Sequence, residues 1–172
     1  MKKIESYAFI GCTNLRNIEL PETSQNENGL LEIGTYAFNS TGKIQIDGTG
    51  LSKLITLGTS AFYRAGDGII LNELPSGLRT IPGWGFAQCA NVAVENFANV
   101  VTLGSDAFNG CGKNKIINIV LPLNLNGYSK GCFNNYAVGN INTVSYVNNG
   151  GAVDSSILSE LGIITSNPTT IE

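Results

Sequence analysis

The side chains in this sequence that could do chemistry are four cysteines, thirteen carboxylates and three glycine clusters. Each set is marked by what is missing beside it. The thiols are Cys12, Cys89, Cys111 and Cys132, and the 172 residues contain no histidine. Without imidazole the chain lacks the commonest general base, the commonest zinc ligand and the partner that activates a serine or cysteine nucleophile. No C-x-x-C pair is present, which removes the usual sequence support for a zinc site. The acidic residues are scattered, whereas a glycosidic pair needs two carboxylates about 5–10 Å apart in a cleft. Gly48-Thr49-Gly50, Gly66-Asp67-Gly68 and Gly83-Trp84-Gly85 lack the strand-to-helix context and the lysine of a phosphate cradle, and they read as turns. The expectation is a chain that is no enzyme, with no cofactor and no metal.

Composition narrows the partners. Charged residues are 13% of the chain, the net charge is -3 and the pI is near 4.9, so no basic footprint for nucleic acid or anionic lipid exists. No apolar run approaches the roughly 20 residues that span a bilayer, so membrane contact is expected only through an anchor outside this chain. The 21 glycines and an excess of asparagine point to many tight turns and few long helices.

The elements that would position these side chains repeat. Phe9, Phe38, Phe62, Phe86, Phe108 and Phe133 follow one another at intervals of 29, 24, 24, 22 and 25 residues. Each is preceded by a small residue: Ala8, Ala37, Ala61, Gly85, Ala107 and Cys132. Five residues earlier stand Ile4, Ile33, Leu57, Ile81, Leu103 and Tyr128, and eight earlier Met1, Leu30, Leu54, Leu78, Val100 and Leu125. After the phenylalanine, "NLRNIELP", "KIQID", "ILNELP", "VAVENF" and "IINIVLP" alternate apolar and polar residues, the signature of a half-buried strand. A unit of about 24 residues cannot bury its own apolar face, so neighbours must stack around a shared core. The predicted fold is therefore a mainly β repeat solenoid of about six 22–29 residue units with short parallel strands. Its interior rungs are the phenylalanines together with Ile4, Ile33, Leu57, Ile81 and Leu103.

"IESYAFIGCTNLRNIELP", "LEIGTYAF", "LITLGTSAF" and "VVTLGSDAF" closely resemble the BspA-like leucine-rich repeat family. The resemblance covers residues 1–147, and the second, fourth and sixth units depart from its pattern most visibly. It implies a leucine-rich repeat array on an extracellular or cell-surface protein of host-associated microbes, with adhesion to host matrix proteins or other cells as its role.

Cys12, Cys89 and Cys111 each stand three residues after a repeat phenylalanine and read as small interior hydrophobes. Adjacent coils would also bring Cys89 and Cys111 within disulfide reach, a pairing that parallel side chains seldom orient correctly. The outward strand positions form the candidate ligand-facing set: Arg16, Asn17, Glu19, Gln45, Asp47, Asn72, Glu73, Glu95 and Asn118. On a regular sheet they would fall in neighbouring polar rows, serving either plain solvation or a protein ligand. Glu32, Thr56, Thr80 and Thr102 form another row, six before each phenylalanine, where stacked threonines stabilise a sheet face. Trp84 is read both as an exposed anchor and as a buried corner residue. Asn39-Ser40-Thr41 spells a glycosylation sequon, with chance as its default explanation in so asparagine-rich a chain.

Residues 148–172 behave differently from the array at 1–147. "AVDSSILSELGI" places Val153, Ile157, Leu158 and Leu161 on one helical face, with Asp154 as N-cap and Gly162 as the stop, so a short helix should cover the last coil. The expected function is cell-surface recognition of a protein ligand. A structural spacer with no ligand of its own is the alternative, and an enzyme would need a pocket that a one-dimensional stack does not obviously offer.

Overall fold

The computed structural model describes residues 2–20, 29–137, 140–149 and 151–165, apart from the side chains of Asp47 and Asn149. Met1 and Pro21, which the repeat pattern assigns to an apolar row and a strand end, lie outside the described residues.

All but the last two strands are short, because the coils there spend only two residues on one side of the stack before turning. In chain order they are β1 (Lys3–Ile4), β2 (Glu32–Ile33), β3 (Ile46–Asp47), β4 (Thr56–Leu57), β5 (Ile69–Ile70), β6 (Thr80–Ile81), β7 (Thr102–Leu103), β8 (Ile117–Leu121) and β9 (Ile141–Tyr146). Every strand pair is parallel, as stacking of like units requires: β1-β2-β4, β6-β7, β3-β5 and β8-β9. The register follows the repeat, with Ile4 opposite Ile33, Ile33 opposite Leu57, and Ile81 opposite Leu103. An isolated bridge carries the row on from Leu103 to Tyr128.

Between the row five before the phenylalanine and the residue three after it, each coil runs through three overlapping turns. In the second coil Ala37, Asn39 and Thr41 donate amides to the carbonyls of Gly34, Tyr36 and Phe38. The first and third of these turns carry a left-handed residue in third place, as type II turns do, at Tyr36 and Ser40 here (φ 55° and 56°). The amides not used within the coil point to the next one. Phe9, Phe38, Phe62, Phe86 and Phe108 donate to the carbonyls of Ala37, Ala61, Gly85, Ala107 and Cys132 at 2.8–3.0 Å. Coils can approach this closely because small residues line the junction: a Cβ on Gly34, Gly58 or Gly104 would run into the backbone of Ser6, Thr35 or Gly83.

The phenylalanine rings make a continuous column, with centroids 5.3–5.6 Å apart and planes within 6–25° of parallel. Phe38, Phe62, Phe86, Phe108 and Phe133 are fully buried, and Ile33, Leu57, Ile81 and Leu103 of the strand row are buried beside them. Each buried ring contributes about 2–3 kcal/mol of apolar transfer energy. Phe9 is only half-buried, because it heads the described column and has a ring on one side only.

The alternation after the phenylalanine forms strand less regularly than its sequence suggests. Residues 15–20 make a single parallel bridge, Asn17 to Gln45, and no strand. In "VAVENF" the three residues Val92, Ala93 and Val94 are all buried, so polar and apolar positions do not alternate there. Phe97 of the same segment is a core residue outside the repeat period, packed edge-on against Phe108 and Phe133 at 5.3 Å each.

The helix α1 (Ser155–Leu161) closes the last coil. The Asp154 carboxylate accepts the Ser156 amide at 2.8 Å, and Gly162 ends the helix in a left-handed conformation (φ 79°). Gly131 and Phe133 donate their amides to the carbonyls of Glu160 and Leu161, so α1 stands where another coil would supply acceptors. Leu158 and Leu161 are buried under it.

Candidate functional site

Two faces of the stack carry outward side chains. On the first, Lys3 lies opposite Glu32 and Glu32 opposite Thr56, while Thr80 lies opposite Thr102; β4 and β6 belong to different sheets, so the expected row forms as two segments. Lys3 at its head ion-pairs with Glu5 at 3.1 Å and approaches Glu32 to 3.9 Å. These are half-exposed pairs in water, each contributing at most about 1 kcal/mol.

The second face carries the candidate ligand-facing set. Arg16, Asn17, Glu19, Gln45, Asn72, Glu73 and Asn118 are exposed and Glu95 is half-buried, while the side chain of Asp47 lies outside the described residues. They do not form unbroken rows. The Arg16 guanidinium turns back onto its own chain, donating to the Thr13 carbonyl at 2.9 Å. Asn17 is bridged to Gln45, but the Gln45 side chain then lies across Gly68, which has none of its own. The buried Val92, Ala93 and Val94 separate Asn72 and Glu73 from Glu95. Glu95 approaches Lys115 to 3.6 Å, and the side-chain Oδ1 of Asn118 accepts hydrogen bonds from Asn142 Nδ2 at 3.0 Å and Thr143 Oγ1 at 2.8 Å. The result is a polar face in two patches, one on the early coils and one on the last two strands.

The cysteines divide by position. All four are free thiols, and Cys89 and Cys111 are not joined. Each instead directs its Sγ to a phenylalanine carbonyl of an earlier coil, Cys89 to Phe62 and Cys111 to Phe86, both at 3.1 Å. Burial pushes the Cys89 thiol up to about 12 and raises Cys111 well above the ordinary range; Cys132 is also pushed up by burial, to about 12. A thiol held protonated in this way is a packing group and not a nucleophile. Cys12 departs from the interior reading: it is exposed, because its coil heads the described column and no other described coil packs on it from that side.

Much of the asparagine stitches coils together. Asn91 donates to the Asp67 carbonyl and Asn114 to Asn91; Gln88 donates to Asn109 at 3.0 Å, and Asn140 to the Gly112 carbonyl at 2.6 Å. Asn39 of the sequon is buried and takes a hydrogen bond from Ser40, which leaves no room for a glycan. Trp84 is 36% exposed and sits edge-on to Tyr63 at 5.3 Å, so it is no buried corner residue.

The cap creates a concavity of about 690 Å³ between the last coil and α1, lined by Asn134, Asn135, Ser155, Ser159 and Gly162 among others. Its lining holds amides, hydroxyls and aliphatic groups, and no titratable side chain that could exchange a proton. Among the described residues no group of three or more carboxylates or thiols converges for a metal ion, and no helix is long and apolar enough to cross a membrane.

A family model described as a BspA type leucine rich repeat region matches in six copies, over residues 1–111 and 32–163. No curated protein and no solved structure matches the chain.

Proposed function

The chain belongs to the BspA-type leucine-rich repeat family, and from that membership we propose that it is a non-enzymatic recognition module of a cell-surface protein. Leucine-rich repeat families generally serve protein interaction, since a stack of coils offers an extended surface and no single deep cleft. The observation that carries the reading is the register: like positions of successive coils present polar side chains beside one another, as Glu32 and Thr56, Thr80 and Thr102, and Asn118 and Thr143 do. In this reading residues 1–147 are a solenoid, 148–172 its C-terminal cap and tail, and the ligand is a host matrix or cell-surface protein. That ligand docks on the second face through Arg16, Glu19, Gln45, Asp47, Asn72, Glu73, Glu95 and Asn118. Most exposed contacts of such a face are energetically small, and a few central ones dominate.

The test is surface plasmon resonance against a panel of immobilised extracellular-matrix and cell-surface proteins, with a Glu19→Lys/Gln45→Lys/Glu73→Lys variant beside the unaltered chain. Saturable binding to one partner, reduced about tenfold or more in the variant, supports the reading. Failure of the unaltered chain to bind any member above a scrambled control would favour a spacer, and binding insensitive to the variant would move the contact off this face.

A further inference from the structure

The turn edge of the first four coils carries a second surface, separate from the strand face and independent of it. Two residues before every repeat phenylalanine the backbone is left-handed: Tyr7 (φ 63°), Tyr36 (55°), Ser60 (53°), Trp84 (58°), Asp106 (53°) and Gly131 (68°). Glycine, asparagine and aspartate accept this conformation readily, whereas a bulky aromatic residue is strained in it. The fifth and sixth coils use Asp106 and Gly131, yet the first, second and fourth use tyrosine, tyrosine and tryptophan. Core packing does not require the first or the last of these, for Tyr7 is 56% and Trp84 36% exposed, while Tyr36 is half-buried. Strain kept at positions that stability does not demand points to a function for the side chains.

The rings are organised. Tyr7 and Tyr36 stack at 5.5 Å with planes 17° apart, and Trp84 meets Tyr63 edge-on at 5.3 Å. Arg64, itself left-handed (φ 55°), holds its guanidinium 5.0 Å from the centre of the Tyr63 ring. No ion pair engages Arg64 among the described residues. It is also the single charged side chain from three before to three after the phenylalanine in these four coils. The accessible polar side chains there besides the tyrosines are neutral: Ser6, Thr35, Ser40, Thr59 and Gln88, while Asn39, Thr41 and Ser60 are buried.

We propose that this edge binds an acidic oligosaccharide. Pyranose rings have an apolar C–H face that lies on aromatic planes, their hydroxyls match a border of neutral hydroxyls and amides, and a uronate carboxylate takes the two-pronged guanidinium of Arg64. The charge pattern selects among ligands. A nucleic acid would need several cations along the edge, whereas one guanidinium among rings and neutral hydroxyls suits a sugar chain that carries carboxylates at intervals.

The experiment titrates the chain with a hexasaccharide of alternating glucuronate and N-acetylglucosamine, following the fluorescence of Trp84, and repeats it with uncharged chitohexaose. The expected result is saturable binding of the acidic sugar, about tenfold weaker for Arg64→Gln and for the uncharged sugar. Calorimetry on Tyr36→Asn and Trp84→Gly should show binding lost while the thermal midpoint rises, because each substitution relieves a left-handed aromatic. That rise separates loss of the site from loss of the fold. No saturable signal with the acidic sugar at about 10 mM would overturn the proposal. So would binding indifferent to Arg64→Gln and Tyr36→Asn together, or a preference for the uncharged sugar.

Discussion

Phe62→Ala measures how far the aromatic column holds the stack together. Phe62 is fully buried, with Phe38 at 5.3 Å on one side and Phe86 at 5.5 Å on the other. Removing the ring forfeits about 2–3 kcal/mol of transfer energy. The slot left behind, on the order of 80 Å³, is closed by backbone hydrogen bonds from both neighbours and cannot collapse, which adds about 2 kcal/mol at 24 cal/mol per Å³. The expected cost is therefore about 4–5 kcal/mol. Phe9→Ala removes the same group from a half-buried site with one ring neighbour, where water reaches the gap and no closed cavity forms. Its expected cost is about 1–2 kcal/mol. Urea unfolding followed by far-ultraviolet circular dichroism reads both, and the Phe62 variant should unfold about 1–2 M earlier than the Phe9 variant. Costs within about 1 kcal/mol of each other would refute the column as the main axis of the core.

Other substitutions probe single features. The Tyr136 hydroxyl is buried without a hydrogen-bond partner, so Tyr136→Phe should raise stability by about 1 kcal/mol in the same urea assay. Gly58→Ala would push a methyl into the Thr35 backbone and should cost about 2–4 kcal/mol, whereas Gly85→Ala meets its nearest atoms at 3.1–3.4 Å and should cost less. Under native conditions an aromatic disulfide reagent should titrate one thiol of four, Cys12, and mass mapping should find the other three only after unfolding. Because Cys89, Cys111 and Cys132 are held protonated by the fold, the native state keeps protons that the unfolded chain releases above its ordinary thiol range. Their contribution is complete below about pH 8.5 and is lost as pH rises toward about 12, so replacing the three by alanine should flatten the alkaline limb of the stability profile.

The sequence revealed what the repeat enforces at every coil. The phenylalanine period, the small residue before it and the row from Ile4 to Leu103 all follow from six in-phase copies, and Asp154 and Gly162 announce the ends of α1 by ordinary capping chemistry. Features set by neighbours were not legible. Tyr7, Tyr36 and Trp84 give no sign of a left-handed backbone, since the turn is dictated by the hydrogen bonds of the next coil and not by their own preference. Phe97 falls outside the period and owes its burial to Phe108 and Phe133. Cys12 has the same local pattern as Cys89 but no described coil packed above it. The candidate ligand-facing residues were placed by alternation alone, and alternation fails where Val92, Ala93 and Val94 are buried together. The asparagines looked like turn formers, while several bridge adjacent coils.

The account rests most directly on neighbouring coils being joined through the phenylalanine amides, and amide hydrogen exchange at residue resolution measures that joint. Phe38, Phe62, Phe86 and Phe108, each donating to the next coil at 2.8–3.0 Å, should be among the slowest amides in the chain, with protection falling toward Phe9. Fast exchange at Phe62 and Phe86 under native conditions would contradict it.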